Sequence, residues 1–538
     1  MKIMLAQTVN RVGDITGNLR KMVKTIGRAE SAGMDLLVFP ELVLTGYPPE
    51  DLLLRDAFLD AVEAAVKEVI EATGKTAVVF GHPRRTGRGL CNSASLARYG
   101  RLCGVYDKRA LPNYGVFDER RYFVPGGESK AFEIDRWRIG IGICEDLWDD
   151  AIAEETCKSA CDVLLNLNAS PFHVGKQVER EALLKKRARQ FGTPVLYVNP
   201  VGGQDEVVFD GGSHAVDADG MLLARAPMFE PACISVDLAA LAPTEIAAMP
   251  EPIEQIRLAL VTGVRDYVRR NGCRQVLLGL SGGVDSAVTA VIAVQALGVE
   301  NVLGVLMPSC FSSEHSVSDA RDLAGNLGIE TVTLPIDPPV SAVEQILAEP
   351  FDTMGLSERD VTEENIQARV RGLLLMAISN KTGRMLLSTG NKSEMAVGYA
   401  TLYGDMAGGF AVLKDVYKMQ VFELAHHINR KGIRIPENSI SKPPSAELRP
   451  DQKDSDSLPD YTVLDAILKA YIEDRMRPDD IVSRGFDGGD VKRIVGMLHR
   501  AEYKRRQAPP GVKITQKAFG RDRRYPITHG FRDWLAQV

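Results

Sequence analysis

From residue 1 to about residue 236, short apolar runs alternate with stretches in which apolar positions recur every three or four residues. The runs at 1–7, 36–40, 77–81, 139–144, 163–169 and 195–199 predict strands. Amphipathic helices and turns rich in Gly and Asp fill the intervals, which predicts an α/β layered domain. The pattern then breaks: residues 237–256 are rich in Ala and Pro, as in Ala242-Pro243 and Met249-Pro250-Glu251-Pro252, and read as a linker. From Gln255 a helical pattern leads into a second series of runs at 276–280, 302–307, 331–335 and 384–388, each followed by a helix. That order predicts a doubly wound parallel sheet with ligands at the carboxyl ends of its strands. The expected division is a first domain over 1–240, a linker over 241–256 and a second domain over 257–538. The stretch 435–461, with Lys442-Pro443-Pro444-Ser445 and a run of charges, predicts a mobile loop that could serve as a lid.

Composition changes this picture little. A chain of 538 residues can bury large cores, and its 45% hydrophobic and 25% charged content is that of a globular protein. Lys and Arg number 65 against 71 Asp and Glu, a net charge of −6, which argues against nucleic acid as a general partner. The 8 Cys are scattered without a C-x-x-C pair, so a reducing, cytoplasmic setting is expected. The first seven residues read as a strand rather than a leader, and no apolar run predicts a membrane span.

Two stretches carry chemistry. In the first half, Phe39-Pro40-Glu41, Tyr106-Asp107-Lys108 and Ile143-Cys144-Glu145 each end a predicted strand. A lone Cys at a strand end is more often core than nucleophile. A Glu and a Lys at comparable strand ends change the reading. Glu41 can take the thiol proton, Lys108 can favour the thiolate and hold an oxyanion, and Cys144 can then attack an amide. In the second half, Gly279-Leu280-Ser281-Gly282-Gly283-Val284-Asp285-Ser286 joins a strand to a helix. The free N–H groups of a helix N-terminus attract anions, glycines admit a phosphate closely, and Asp285 suits Mg²⁺ rather than phosphate. The Walker lysine is missing. Further along, Ser388-Thr389-Gly390-Asn391-Lys392-Ser393-Glu394 again ends a strand and starts a helix, so Thr389 can meet a nucleotide and Glu394 can join Asp285 on Mg²⁺.

The ordered set Glu41, Lys108, Cys144 resembles the triad of the nitrilase, or carbon–nitrogen hydrolase, superfamily. The resemblance implies an α-β-β-α sandwich and amide hydrolysis. It makes Glu119 a second glutamate of the site, and Tyr114, Ser170 and Lys176 the contacts of a glutamine substrate. The motif S-G-G-V-D-S resembles the pyrophosphate loop of N-type ATP pyrophosphatases, which adenylate their substrates. The two together, in this order and over nearly the whole length, resemble the glutamine-dependent NAD⁺ synthetase family. That resemblance implies ATP contacts at Gly279, Leu280, Ser281, Gly282, Gly283, Val284, Asp285, Ser286 and Thr389. It implies deamido-NAD⁺ contacts at Asn365, Glu394 and Lys513, and Mg²⁺ on Asp285 and Glu394. The implied partners are deamido-NAD⁺, ATP and L-glutamine, with neither nucleic acid nor membrane, in a homo-oligomer held through the second domain. Two other classes stay open on the residues alone: a nucleic-acid modifier, opposed by the net charge, and a non-catalytic interaction protein, opposed by the intact triad.

Overall fold

The computed structural model describes residues 1–128, 131–158 and 161–531. The chain forms two compact units, Met1–Glu251 and Pro252–Val538.

In the first unit the strands run β1 (Lys2–Gln7), β2 (Leu36–Val38), β3 (Ala77–Thr86), β4 (Gly89–Arg98), β5 (Arg101–Asp107), β6 (Phe132–Ile134) and β7 (Trp137–Ile143). They continue with β8 (Val163–Leu167), β9 (Val195–Val198), β10 (Val201–Gln204), β11 (Val207–Asp210), β12 (His214–Val216), β13 (Leu222–Arg225) and β14 (Ala232–Asp237). Among the described residues they form two six-stranded sheets, β14-β1-β2-β3-β4-β5 and β13-β12-β9-β8-β7-β6, and the hairpin β10-β11. The period of two along each strand builds the layers. Ile3, Leu5, Leu36, Val38, Ala77 and Val79 of one sheet share a core with Ile139, Ile141, Ile143, Val163, Leu165 and Leu167 of the other. The alternate residues Leu37, Val78 and Phe80 turn outward onto the helices α1 (Ile15–Ser31) and α2 (Asp56–Glu71). On the far side, Leu164, Val195 and Tyr197 pack on Leu184 and Ala188 of the helix Lys176–Phe191. Each such Val, Leu, Ile or Phe stabilises the fold by roughly 1.5–3 kcal/mol when fully buried. The result is the expected α-β-β-α sandwich.

Direction matters more than layer count for the site. β1, β2 and β3 are parallel, while β3-β4 and β4-β5 are antiparallel, so β5 again runs with β2. β2 and β5 therefore end on one edge, and β4 begins there. β5 ends where a strand end was expected, but β4 was not expected from the sequence, where its apolar run is interrupted by Asn92, Ser93 and Ser95.

In the second unit β15 (Val276–Gly279), β16 (Val302–Leu306), β17 (Glu330–Thr333), β18 (Met385–Ser388) and β19 (Phe410–Ala411) are all parallel, in the order β17-β16-β15-β18-β19. The chain leaves β15 toward one edge and returns on its other side at β18, so the crevice between β15 and β18 is the switch point where ligands settle. Leu277, Leu303, Val305 and Leu386 face Leu375 and Ile378 of the helix Val361–Thr382. On the opposite side the helices Pro252–Arg270, Val284–Leu297 and Lys418–Asn429 pack together. No described helix is long and apolar enough to cross a membrane.

Candidate active sites

At the edge where β2 and β5 end, Glu41 stands three residues past β2, Lys108 one past β5, and Cys144 one past β7. Lys108 is fully buried and donates to Glu41 Oε1 at 2.7 Å and to Glu119 Oε1 at 2.7 Å. Glu41 Oε1 also accepts from Asn92 Nδ2 at 2.7 Å, and its Oε2 from the Ala169 N–H at 3.0 Å. Tyr47 donates its hydroxyl to Glu119 Oε1 at 2.8 Å. The loop that carries Glu41 lies so close to β3 that a Cβ on Gly81 would stand 2.3 Å from the Leu42 nitrogen, so this position needs glycine.

The charges explain one another. Burial opposes the Lys108 charge, but Glu119 and Glu41 outweigh it and its pKa is raised. Burial raises Glu119 above the usual carboxylate range, against the pull of Lys108. Cys144 is also raised, by burial first and then by Glu41, with Lys108 opposing. The resting thiol is thus protonated beside a carboxylate, which is the arrangement a base-assisted nucleophile requires.

Cys144 has φ of 45°, in the left-handed region that a non-glycine residue rarely adopts, and it opens the turn Cys144–Leu147. Asp146 holds that turn. Its Oδ2 accepts from Ile143 N at 2.9 Å and Tyr106 Oη at 2.8 Å; its Oδ1 accepts from Arg109 N at 3.1 Å and Ala110 N at 2.7 Å. One buried carboxylate so ties the segment after Lys108 to the segment bearing Cys144. The sequence reading missed Asp146 and Asn92, because the partners that tie them to the site, Tyr106, Arg109 and Ala110 for Asp146 and Glu41 for Asn92, are distant in the chain.

Of the expected glutamine contacts, Tyr114 is exposed and donates to both oxygens of Glu145, at 2.9 and 3.0 Å. Lys176 donates to Glu179 at 2.9 Å and lies over the Trp148 ring, 4.2 Å from its centroid. Burial raises Glu145, and both Lys108 and Lys176 pull it back, so these groups share one electrostatic neighbourhood. Ser170 is less available. Its hydroxyl accepts from Arg180 Nε at 3.3 Å and its carbonyl from Arg180 Nη2 at 2.8 Å, while Arg180 Nη1 binds both oxygens of Asp210 at 2.8 Å. Arg180, fully buried, was not anticipated.

In the second unit the loop after β15 meets the loop after β18 across the switch point. Gly282 has φ of 77°, and a Cβ there would stand 2.2 Å from the Ser316 carbonyl oxygen. The Ser281 and Ser286 hydroxyls lie 3.1 Å apart, Ser281 Oγ accepts from Gly283 N at 3.2 Å, and Ser286 donates to Gly283 O at 3.0 Å. Asp285 Oδ1 accepts from Asn391 Nδ2 at 2.9 Å. Asn391 also caps the helix Lys392–Val397, accepting from Glu394 N at 3.0 Å, and so links Asp285 to the turn of Glu394. Lys418 bridges the two carboxylates, 2.5 Å from Asp285 Oδ2 and 3.4 Å from Glu394 Oε1. Burial opposes the Lys418 charge, but Asp285 and Glu394 raise its pKa. The neighbouring Lys392, fully buried, donates to Asp415 at 2.8 Å and Thr515 at 2.7 Å. Neither lysine was anticipated.

Glu394 is pushed up to about 8, by burial first and by Asp285 second, with Lys418 only partly opposing. With both carboxylates ionised the pair would carry more negative charge than one lysine cancels, so Glu394 keeps a proton near neutral pH. Two hard oxygen donors, one of them holding a proton that a cation can displace, fit Mg²⁺. Among the described residues no group of three or more His, Cys, Asp or Glu forms a complete metal cage, so substrate oxygens or water would have to complete the coordination.

The remaining expected contacts are not all gathered here. Thr389 follows β18 directly, at the crevice. Asn365 accepts from the Thr401 hydroxyl at 2.8 Å. Lys513 is buried, with Nζ donating to Thr515 O at 2.6 Å, Gln516 O at 3.0 Å and Asp522 Oδ2 at 2.6 Å. No bond of Asn365 or Lys513 leads to Glu394 among the described residues. The stretch 435–461 is better held than its composition predicts: Glu447 accepts from Ser316 Oγ at 2.6 Å and Ser313 Oγ at 3.0 Å, and Lys442 donates to Ser316 Oγ at 2.8 Å. These contacts lay it over the start of the helix Glu314–Leu327, near the phosphate loop.

Comparison with known proteins matches the two halves separately and together. The carbon-nitrogen hydrolase family model matches residues 2–245 and the NAD synthase family model residues 256–508. The chain is 46% identical to the glutamine-dependent NAD(+) synthetase of Thermotoga maritima, over 99% of this chain and 100% of that one. It is 45% identical to that of Acinetobacter baylyi, over 99% of each. Among solved structures it is similar to the glutamine-dependent NAD⁺ synthetase from Acinetobacter baumannii in complex with ADP, with 42% identity, a TM-score of 0.80 and 99% of each chain covered. In fold it also matches the synthetase from Cytophaga hutchinsonii, with a TM-score of 0.85 at 22% identity.

A carbon–nitrogen hydrolase unit ahead of an NAD synthase unit defines a carbon–nitrogen ligase that draws its nitrogen from an amide. The chain belongs to the glutamine-dependent NAD(+) synthetase family. ATP is a substrate of such enzymes.

Proposed function

We propose that residues 1–240 hydrolyse glutamine, that 241–256 link the halves, and that 257–538 adenylate deamido-NAD⁺ and amidate it. The observation that carries the first half is the buried Lys108 held at 2.7 Å from both Glu41 and Glu119, next to a protonated Cys144. Glu41 takes the Cys144 proton as sulfur attacks the glutamine carboxamide, and Lys108 stabilises the tetrahedral oxyanion. Glu41 returns the proton to the leaving nitrogen, which departs as ammonia. Water then cleaves the γ-glutamyl thioester to glutamate. Tyr114, Ser170 and Lys176 hold the amino-acid end of glutamine; Ser170 can do so once Arg180 shares its hydroxyl.

In the second half the nicotinate carboxylate of deamido-NAD⁺ attacks the α-phosphate of ATP and pyrophosphate leaves. Ammonia attacks the resulting acyl adenylate and expels AMP. Gly279–Ser286 and Thr389 hold ATP; Asn365, Glu394 and Lys513 hold deamido-NAD⁺. Asp285 and Glu394 would hold Mg²⁺, whose charge would stabilise the pyrophosphate oxygens. Ammonia passes from one reaction to the other without release, since at pH 7 free ammonia would be protonated and unreactive. Exposed Ile346, Met354, Leu356 and Leu373 on the helices Asp337–Thr353 and Val361–Thr382 and the loop between them support a homo-oligomer through this half.

The test is one assay with deamido-NAD⁺, ATP, Mg²⁺ and either glutamine or ammonium. NAD⁺, AMP and pyrophosphate should appear in equal amounts with either nitrogen source. ADP in place of AMP would sink the adenylation step.

A further inference from the structure

We propose that Asn92 is a positioning residue of the hydrolytic site: its side-chain amide holds Glu41 and its backbone holds Lys108. The proposal rests on the reading of Glu41 and Lys108 given above.

Asn92 lies in the half of β4 that starts at the site edge, and it is fully buried. Its Nδ2 donates to Glu41 Oε1 at 2.7 Å, the same oxygen that accepts from Lys108 Nζ at 2.7 Å. Its carbonyl oxygen accepts from the Lys108 N–H at 2.8 Å. One residue thus fixes both the carboxylate and the start of the segment that carries the cation.

The other end of the amide shows what sets its orientation. Asn92 Oδ1 is buried and has no hydrogen-bond partner among the described residues. A buried oxygen without a partner is costly. The side chain faces Glu41 with its donor end and leaves its acceptor end unpaired, so the carboxylate dictates its placement. A carboxylate that must accept a proton during the reaction and give it back needs an orientation that survives both states. Lys108 cannot supply this alone, because it is shared with Glu119. The uncharged amide donor orients Glu41 without adding a second positive charge. The groups facing Glu41 are Lys108, Asn92 and the Ala169 N–H by hydrogen bond, the last on the other oxygen, and Glu119, Cys144 and Tyr47 by charge.

The test uses the full chain with two nearly isosteric variants, Asn92→Leu and Asn92→Asp, alongside Cys144→Ala. Glutamine-driven NAD⁺ formation is measured from pH 5.5 to 9, with ammonia-driven formation and thermal unfolding as controls. Asn92→Leu, with no donor, should lower the glutamine-driven rate by about thirtyfold at every pH. Asn92→Asp should behave differently. While the introduced carboxyl group and Glu41 share one proton, an O–H can donate to Glu41 as the amide does; once that proton leaves, two carboxylates face each other. Its rate should therefore approach that of the parent at the acid end and fall as pH rises, a limb absent from the parent and from Asn92→Leu. Equal losses for both variants at all pH values would make Asn92 a packing residue and overturn the proposal, as would a loss below threefold in both. Should Asn92→Leu not fold, the alkaline limb of Asn92→Asp alone decides. If Cys144→Ala keeps glutamine-driven activity, the hydrolytic reading itself has failed; if it loses that activity while the Asn92 variants keep theirs, only the present proposal has.

Discussion

The two sites are built on the same device, residues set just beyond the ends of strands with one lysine between two carboxylates, and they differ in what else surrounds those carboxylates. In the first unit Lys108 sits between Glu41 and Glu119, while Asn92 and the Ala169 N–H take further lone pairs of Glu41. Donors of the chain itself thus surround Glu41. In the second unit Asp285 and Glu394 share one lysine, and Glu394 is left with its pKa at about 8. A site closed on itself can act on a neutral amide with no added ion. A site short of positive charge is prepared for a ligand that brings a cation, as a nucleotide with its metal does.

The sharpest way to break this comparison is Cys144→Ala, which should cut glutamine-driven NAD⁺ formation by about 10⁴-fold and leave ammonia-driven formation within twofold. Loss of both rates would show that the two halves do not divide the labour. The second test addresses the uncompensated carboxylates, using Mn²⁺ as a paramagnetic stand-in. A cation competes with the proton on Glu394, so affinity should weaken as pH falls below about 8 and level off above it. The slope should be about tenfold per pH unit for one displaced proton. Electron paramagnetic resonance of free Mn²⁺ reads this directly, and a flat response between pH 6 and 8 would remove Glu394 from the metal.

The smallest expected effect concerns stability and separates the units by their histidines. His82 and His214 are buried in the first unit, and burial lowers both to about 4. A histidine that stays neutral when folded binds fewer protons than in the unfolded chain, where its pKa is about 6.5. The stability it contributes is therefore complete above pH 6.5 and is lost as pH falls toward 4. Each should lose on the order of 3 kcal/mol of stabilisation by the acid end. Hydrogen exchange of peptides from β3 and β12 should accelerate over that range, and His82→Gln with His214→Gln should flatten the dependence.

What could be read from the chain follows from where information sits. Glu41, Lys108 and Cys144 are legible because each directly follows an apolar run, and the run itself announces a strand end. The phosphate loop is legible because Ser281 to Ser286 act through their own backbone, within one turn. Asn92 is hidden inside a strand, where a polar residue looks like an interruption. Asp146, Arg180, Lys392 and Lys418 take their meaning from partners 30 to more than 130 residues away. The stretch 435–461 looked mobile because proline and charge dominate it; Glu447 and Lys442 are held by Ser313 and Ser316, which sequence proximity cannot show.

By itself, then, the amino-acid sequence determined the layers, the strand ends and the backbone of the nucleotide loop, since periodicity and glycine placement act over a few residues. Only the tertiary structure decided the charge balance: which carboxylate each buried lysine serves, which amide turns toward Glu41, and which oxygens are left uncompensated. Those energies depend on distance and burial, and both are set when strands far apart in the chain are brought to one edge.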